Sequence, residues 1–179
     1  MALYHFSEDP SIELFRPHVA KTSAIQDEAL VWAIDDWHAP MYFVPRDCPR
    51  VCFWAGPNTT PEDRNRWLQL PEPRFMMVVE TNWIERIRSA RVYRYTMPEV
   101  SFAPVGNARG TYISRETMAP LRVDPVGDLL AAIAGADVQL RDLARIGLLW
   151  KQVHLDSTLA HSGIRLLNAL GYPTEFSRG

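Results

Sequence analysis

Lysine is scarce in this sequence, and its scarcity bears on the kind of partner that the protein has. Lys21 and Lys151 are the only lysines among 19 basic residues, and 21 acidic residues leave a formal net charge of −2. Proteins that neutralise nucleic-acid phosphates need a clear excess of Lys and Arg. The charge balance therefore argues against a nucleic-acid protein of the strongly basic kind.

Cysteine is scarce as well, since Cys48 and Cys52 are the only two. Two cysteines are too few for a secreted disulfide scaffold. They lie close enough in sequence to form a zinc pair with His38, but no second Cys/His pair of suitable spacing follows. We predict buried, reduced cysteines and no metal site. The opening MALYHFSEDP lacks the basic and apolar regions of a secretory signal, so we expect a cytoplasmic protein.

Long apolar runs and the common catalytic motifs are also missing. No run approaches the ~20 apolar residues that cross a bilayer, so we expect no membrane partner. We find no P-loop, no G-x-G-x-x-G, no G-x-S-x-G and no H-E-x-x-H. The 179 residues, 47% of them hydrophobic, suit a single folded domain, and 14 prolines predict short elements joined by many loops.

Short apolar runs are what the first two thirds of the chain does contain, and they predict strands. These runs are ALYHF (2–6), LVWAI (30–34), VCFWAG (51–56), RFMMVVE (74–80), ARVYRYTMP (90–98), GTYISRE (110–116) and MAPLRV (118–123). Two helices are predicted between them, at 59–69 with Thr60 as N-cap and Pro61 in the first turn, and at 82–90. Because strands and helices do not alternate regularly, we predict an α+β fold with a split, mostly antiparallel sheet.

The last third of the chain is predicted to be mainly helical. Helices are expected at 125–134, at 147–156 and at 157–172, with one strand at 138–143. We therefore predict one domain over 1–179, in which a helical appendage (125–179) packs on a sheet-rich core (1–124). His154 and His161 would share a helix face, where a polar surface is a better explanation than a metal site.

An acidic pair follows the second strand. Asp35 and Asp36 lie close to His38 in the sequence and could form an acid/base cluster beside Trp37. A helix cap at Asp35, at the start of a short helix that carries Trp37 to Phe43, is the interpretation that we favour.

Three segments together resemble the ADP-ribosyltransferase-like superfamily: LYHFS (3–7), LVWAIDDWHAPMYF (30–43) and GTYISRETMAPLRV (110–123). In that superfamily an N-terminal strand carries a histidine, a second strand leads into a helix with an A-x-x-[YF] pattern, and a later strand carries a third catalytic residue. The whole chain also resembles a family of bacterial proteins of unknown function, which implies little about activity.

The resemblance implies a pocket for a nucleotide of the NAD type. His5 would hydrogen-bond a nicotinamide ribose hydroxyl, and Trp32 would stack on the nicotinamide ring where relatives have a tyrosine. Ser7 and Tyr42 would line the same pocket. Core packing is the competing explanation for Trp32 and Tyr42. We expect His5 and Trp32, on adjacent strands, to face one shared cleft.

The third catalytic position falls on Thr111, where the resemblance implies a glutamate that stabilises a developing cation. Threonine has no charge to offer, and Glu116 is predicted on the opposite face of the strand. Three arginines could instead serve a 2′-phosphate, namely Arg16, Arg109 and Arg115. The sequence thus leaves three hypotheses. The first is an ADP-ribosyl or 2′-phosphate transferase that acts through His5 and Thr111 with NAD. The second is a non-catalytic binding or interaction module on the same scaffold, and the third is a structural protein whose aromatic residues all lie in the core.

Overall fold

The computed structural model describes residues 1–19, 28–68, 71–106 and 109–172. The strands are β1 (Leu3–Ser7), β2 (His18–Val19), β3 (Ala29–Asp35), β4 (Arg50–Trp54), β5 (Phe75–Glu80), β6 (Tyr93–Met97), β7 (Ala103–Pro104), β8 (Thr111–Ser114), β9 (Arg122–Pro125), β10 (Val138–Leu143) and β11 (Ala160–Ile164). The helices are α1 (Pro61–Trp67), α2 (Ile84–Ser89), α3 (Leu129–Gly135) and α4 (Gly147–Leu155), with 3₁₀ helices at Ala39–Tyr42, Thr81–Trp83 and Leu166–Asn168.

The chain divides into two compact units, and each is built from two separate stretches of sequence. The first unit contains residues 1–46 and 90–127, and the second contains 47–89 and the chain from 128 onward. The expectation of a single folding domain with an appendage at 125–179 stays a prediction.

The first unit is an antiparallel sheet in the order β7-β8-β3-β1-β6-β9, with β2 added along β3. Strands β1 and β3 lie in the middle, where a neighbour on each side buries them. One face of the sheet is packed by an apolar cluster, whose buried members are Leu3, Phe15, Val31, Ala33, Tyr95, Met97 and Met118. Alternation along each strand sends the intervening side chains to the other face.

The second unit is a four-stranded sheet in the order β10-β5-β4-β11. Strand β10 runs parallel to β5, and the other two pairings are antiparallel. Every residue of β4 and β5 is buried, which explains why both are nearly continuous apolar runs in the sequence. In α1 the Thr60 side chain accepts a hydrogen bond from the Asp63 amide, as the N-cap prediction requires.

The fold class is confirmed as α+β with mostly antiparallel sheets. The strands predicted around LVWAI and RFMMVVE, and the helix capped by Thr60, lie where the sequence analysis puts them. The helix predicted at 157–172 is wrong. Residues Ala160–Ile164 form β11, because their backbone pairs with β4 along its whole length. The return strand predicted at 118–123 is shifted to Arg122–Pro125, where β6 supplies its pairing partner.

Candidate functional site

His5 lies in the middle of β1, and its ring is held from two sides. Its Nδ1 lies 2.8 Å from the carbonyl oxygen of Trp32, and its ring centroid lies 4.7 Å from that of Phe15. A carbonyl only accepts, so Nδ1 carries the hydrogen and Nε2 is an acceptor. Burial lowers the pKa of His5 from 6.5 to about 4, against the opposing effect of the Trp32 hydrogen bond. His5 is therefore neutral at neutral pH, and its donor is already engaged.

This pKa predicts a loss of stability in acid. Between pH 6.5 and about 4 the unfolded chain binds a proton at His5 that the folded chain does not bind. Above pH 6.5 His5 is neutral in both the folded and the unfolded chain and does not lower the free energy of unfolding. As the pH drops to about 4.5, protonation of His5 in the unfolded chain lowers the free energy of unfolding by about 2–3 kcal/mol. Urea denaturation of the wild type and of His5→Gln, each measured above pH 6.5 and at about pH 4.5, checks this. An equal loss of stability in the two proteins would contradict it.

The side chains of His5 and Trp32 lie on opposite faces of the sheet. Tyr4 pairs directly with Ile34, and Trp32 lies two residues from Ile34 in the same regular strand. Trp32 therefore shares the face of Tyr4, whereas His5, next to Tyr4, points the other way. The expectation that His5 and Trp32 border one cleft is wrong, since only the backbone carbonyl of Trp32 reaches the imidazole.

Ser7 lies on the same face as His5, two residues along β1. Ser7 is buried, and its hydroxyl accepts a hydrogen bond from the Asp9 amide at 3.1 Å. This contact belongs to the turn that ends the strand. Its ligand role stays a prediction.

Thr111 and Tyr42 are associated with the opposite face. Thr111 pairs with Ile34 and so points to the side of Trp32. Tyr42 stacks on Phe6, with the ring centroids 5.9 Å apart and the planes 8° from parallel. We call the face that these residues share the indole face. Its side chains include Tyr4, Phe6, Trp32, Ile34, Arg94 and Thr111.

Two nitrogen donors on the indole face have no acceptor among the residues that the structure describes. They are Nε1 of Trp32 and Nε of Arg94, and both are buried. Strands β3 and β6 flank β1, so the two backbones stand about 10 Å apart across the sheet. The Arg94 guanidinium lies 5.0 Å from the ring centroid of Tyr4, and 3.8 Å separates its Nη2 from Asp124. An unpaired buried donor costs about 1–3 kcal/mol, so an acceptor for either of these N–H groups would stabilise the folded chain.

Asp35 and His38 form a pair at the end of β3. One carboxylate oxygen of Asp35 accepts from both the backbone amide and Nδ1 of His38, at 2.8 and 2.7 Å. The amide of Asp35 donates in turn to the Gly110 carbonyl oxygen. Asp35 thus caps the turn that precedes the 3₁₀ helix. This agrees with its predicted capping role, although the capped turn lies one turn before the helix itself.

The two cysteines lie in the second unit, and both are free and buried. Burial raises the pKa of each thiol to about 12. The prediction that both cysteines are buried is confirmed, whereas their reduced state and the lack of a zinc site stay predictions.

The second unit also has an open cleft of about 490 Å³. Its walls combine charged and apolar side chains, namely Thr81, Ile84, Glu85, Arg88, Leu130, Leu140, Arg141 and Asp142. None of the five predicted site residues lines it.

Sequence reasoning missed two features of interest. Arg94 was predicted only as part of a half-exposed strand, although its alternation with the flanking tyrosines in YRY already assigns it to a different face from them. His161 was predicted to lie in a helix, so its position on β11, opposite Phe53, was not predicted.

A family profile described as "Family of unknown function (DUF6886)" matches residues 4–169. No curated protein and no solved structure matches the chain. In the part of the chain that the structure describes, no helix combines the length and the apolar character needed to cross a bilayer.

Proposed function

Since the chain belongs to the DUF6886 family of unknown function, we propose from its geometry that it is a non-catalytic binding module whose ligand lies on the indole face. The proposed ligand combines a planar ring with acceptor oxygens. Nucleotides of the NAD and ADP-ribose type are the first class to test, because the segments around LYHFS and LVWAI resemble the ADP-ribosyltransferase-like superfamily.

The observation that carries this proposal is the pair of unpartnered donors, Nε1 of Trp32 and Nε of Arg94. A carbonyl, ribose or phosphate oxygen would satisfy either donor and recover the cost of its burial. Arginine suits phosphate in particular, because its planar guanidinium presents several donors at once.

Aromatic rings on the same face support a planar ligand. Trp32 and Tyr4 are both half-buried, so part of each ring stays reachable. A base or nicotinamide that stacks on such a ring gains about 1–3 kcal/mol. Thr111, on the same face, offers a hydroxyl that can both donate and accept.

A binding role is favoured over transfer by four features. His5 is neutral, its Nδ1 hydrogen is engaged by the Trp32 carbonyl, and it points away from the indole face. Thr111 cannot stabilise a developing cation as a carboxylate would. We therefore propose that His5 positions β3 through this hydrogen bond and does not contact the ligand. The buried, free thiols of Cys48 and Cys52 support a cytoplasmic location.

Thermal unfolding in the presence of ADP-ribose, NAD or nicotinamide tests the proposal. A ligand that binds only the folded chain raises its melting temperature. We expect Trp32→Ala to weaken binding about tenfold or more through lost stacking, and Trp32→Phe to keep the ring contact but lose the donor. Trp67→Phe is the matched control, since Trp67 has a similarly buried, unpartnered Nε1 in the second unit.

Two results would overturn the proposal. The first is the absence of any stabilisation by these nucleotides at millimolar concentrations. The second is release of nicotinamide from NAD that disappears in His5→Ala, which would establish transfer chemistry instead. We expect His5→Ala to weaken nucleotide binding less than Trp32→Ala does when the fraction of folded protein is taken into account.

A further inference from the structure

Two histidines of the second unit meet at the junction between α4 and β11. Nδ1 of His154, in the last turn of α4, lies 2.9 Å from Nε2 of His161. The two rings are nearly perpendicular, at 89°, with their centroids 5.1 Å apart. Each ring therefore directs one nitrogen at the nitrogen of the other ring.

The other nitrogen of His161 is already fixed. Its Nδ1 lies 2.9 Å from the carbonyl oxygen of Leu159, which can only accept, so Nδ1 carries the hydrogen. The lone pair of His161 is thereby assigned to Nε2, the atom that faces His154. A ring hydrogen donated to a backbone carbonyl is the usual outer-shell support of a metal-binding histidine.

Trp150 holds both rings in place. Its indole stacks on His154, with centroids 4.8 Å apart and planes 13° from parallel, and meets His161 edge-on at 5.5 Å. Gly163 makes room for this arrangement, because a Cβ there would come within 2.7 Å of the Trp150 ring. The nitrogen pair is thus set by packing on a helix and a strand, which are more rigid supports than loops.

The nitrogen separation fits adjacent positions around a divalent metal. Two nitrogens at ~2.05 Å from a metal are about 2.9 Å apart at a right angle and about 3.3 Å apart at a tetrahedral angle. The observed 2.9 Å is compatible with the right angle that is typical of the tetragonal sites of Cu²⁺ and Ni²⁺ with imidazole ligands, and it is also the length of an ordinary N–H···N hydrogen bond.

We propose that His154 and His161 form a two-histidine site for a late first-row divalent metal, with Cu²⁺ preferred over Ni²⁺. Among the described residues no group of three or more His, Cys, Asp or Glu side chains could hold a metal. The remaining coordination positions are therefore filled by water or by an added ligand. This site lies in the second unit and does not depend on the indole face.

Titration of the untagged full chain with Cu²⁺ or Ni²⁺ alone, followed by tryptophan fluorescence, tests the site. We expect one equivalent to quench part of the emission, because Trp150 stacks directly on a ligand ring. His154→Ala and His161→Ala should each weaken binding about tenfold or more. His18→Ala, a change of an exposed histidine in the first unit, should have no effect.

Two further measurements separate metal binding from a simple hydrogen bond between the rings. Trp150→Phe should lose most of the quenching, because the indole that stacks on the ligand ring is removed, and should still give a Cu²⁺ complex in electron paramagnetic resonance. Electron paramagnetic resonance of the Cu²⁺ complex should report two imidazole nitrogens in the wild type and one in His161→Ala. Absence of stoichiometric binding, or binding that survives both histidine substitutions with folding intact by circular dichroism, would overturn the proposal.

Discussion

Replacing Glu80 with leucine is expected to destabilise the protein by about 2–5 kcal/mol, the larger of two strong effects that the structure predicts. Glu80 is fully buried at the end of β5. Its carboxylate accepts from the Leu170 amide at 2.9 Å and from the Ile146 amide at 3.4 Å. Leucine fills similar space but leaves two backbone donors without an acceptor, and each such donor costs about 1–3 kcal/mol.

The position of Ile146 adds to this effect. Ile146 is the N-cap residue of α4, and its own side chain makes no capping hydrogen bond. The Glu80 carboxylate supplies a negative charge and an acceptor at that helix terminus, where both are favourable. We therefore expect Glu80→Leu to loosen the start of α4 as well as to lower the free energy of unfolding.

Urea denaturation measures the change, provided that the slope of the transition stays constant. Glu80→Gln keeps a carbonyl oxygen that can take the place of Oε1, the atom that accepts from both amides, and should lose less stability than Glu80→Leu. Glu85→Gln is the surface control, because the Glu85 side chain is 85% exposed, and it should change stability by no more than about 0.5 kcal/mol. A Glu80→Leu protein as stable as this control would contradict the prediction.

Substituting Gly110 with alanine should cost about 2–4 kcal/mol, for two separable reasons. Gly110 has a φ of +73°, a conformation that costs a residue with a Cβ about 1–2 kcal/mol. A Cβ at this position would also overlap the His38 ring, which the hydrogen bond to Asp35 holds in place.

Gly127 offers a matched control for the first reason alone. Its φ is +87°, but a Cβ there would meet nothing within 4 Å. Gly127→Ala should therefore show the conformational cost of about 1–2 kcal/mol without the overlap. The extra loss in Gly110→Ala should shrink when His38→Ala is added, because the overlap is then removed. Equal losses of stability in the two glycine variants would show that the His38 ring can move aside without an energetic cost.

Local sequence signals were sufficient to predict those elements whose structure depends mainly on residues close in sequence. The buried strands β3 and β5 follow from short apolar runs, and α1 follows from Thr60 and Pro61 at its start. Strand β11 could not be found in this way, because AHSGI carries no apolar alternation. It is a strand because β4 presents an unpaired edge to it.

The candidate site shows the same division between local and long-range information. That His5 and Trp32 lie on neighbouring strands was predictable from two runs of sequence. Which face each side chain takes depends on the register between β1 and β3, and a slip of one residue reverses it. Likewise, Glu80 reads as the polar end of a strand, since the amides that it binds belong to residues 66 and 90 positions away.

The interleaving of the two units determines the order in which a nascent chain can complete them. Strand β1 lacks its partner β6 until Tyr93–Met97 has been made, by which time 47–89 has already been synthesised. That middle stretch in turn waits for β10 and β11, which lie on either side of β5 and β4. Synthesis halted near residue 89 would leave both sheets with open edges. A chain truncated at that length should therefore be protease-sensitive throughout, whereas protection of the first unit should begin in chains that extend past residue 127.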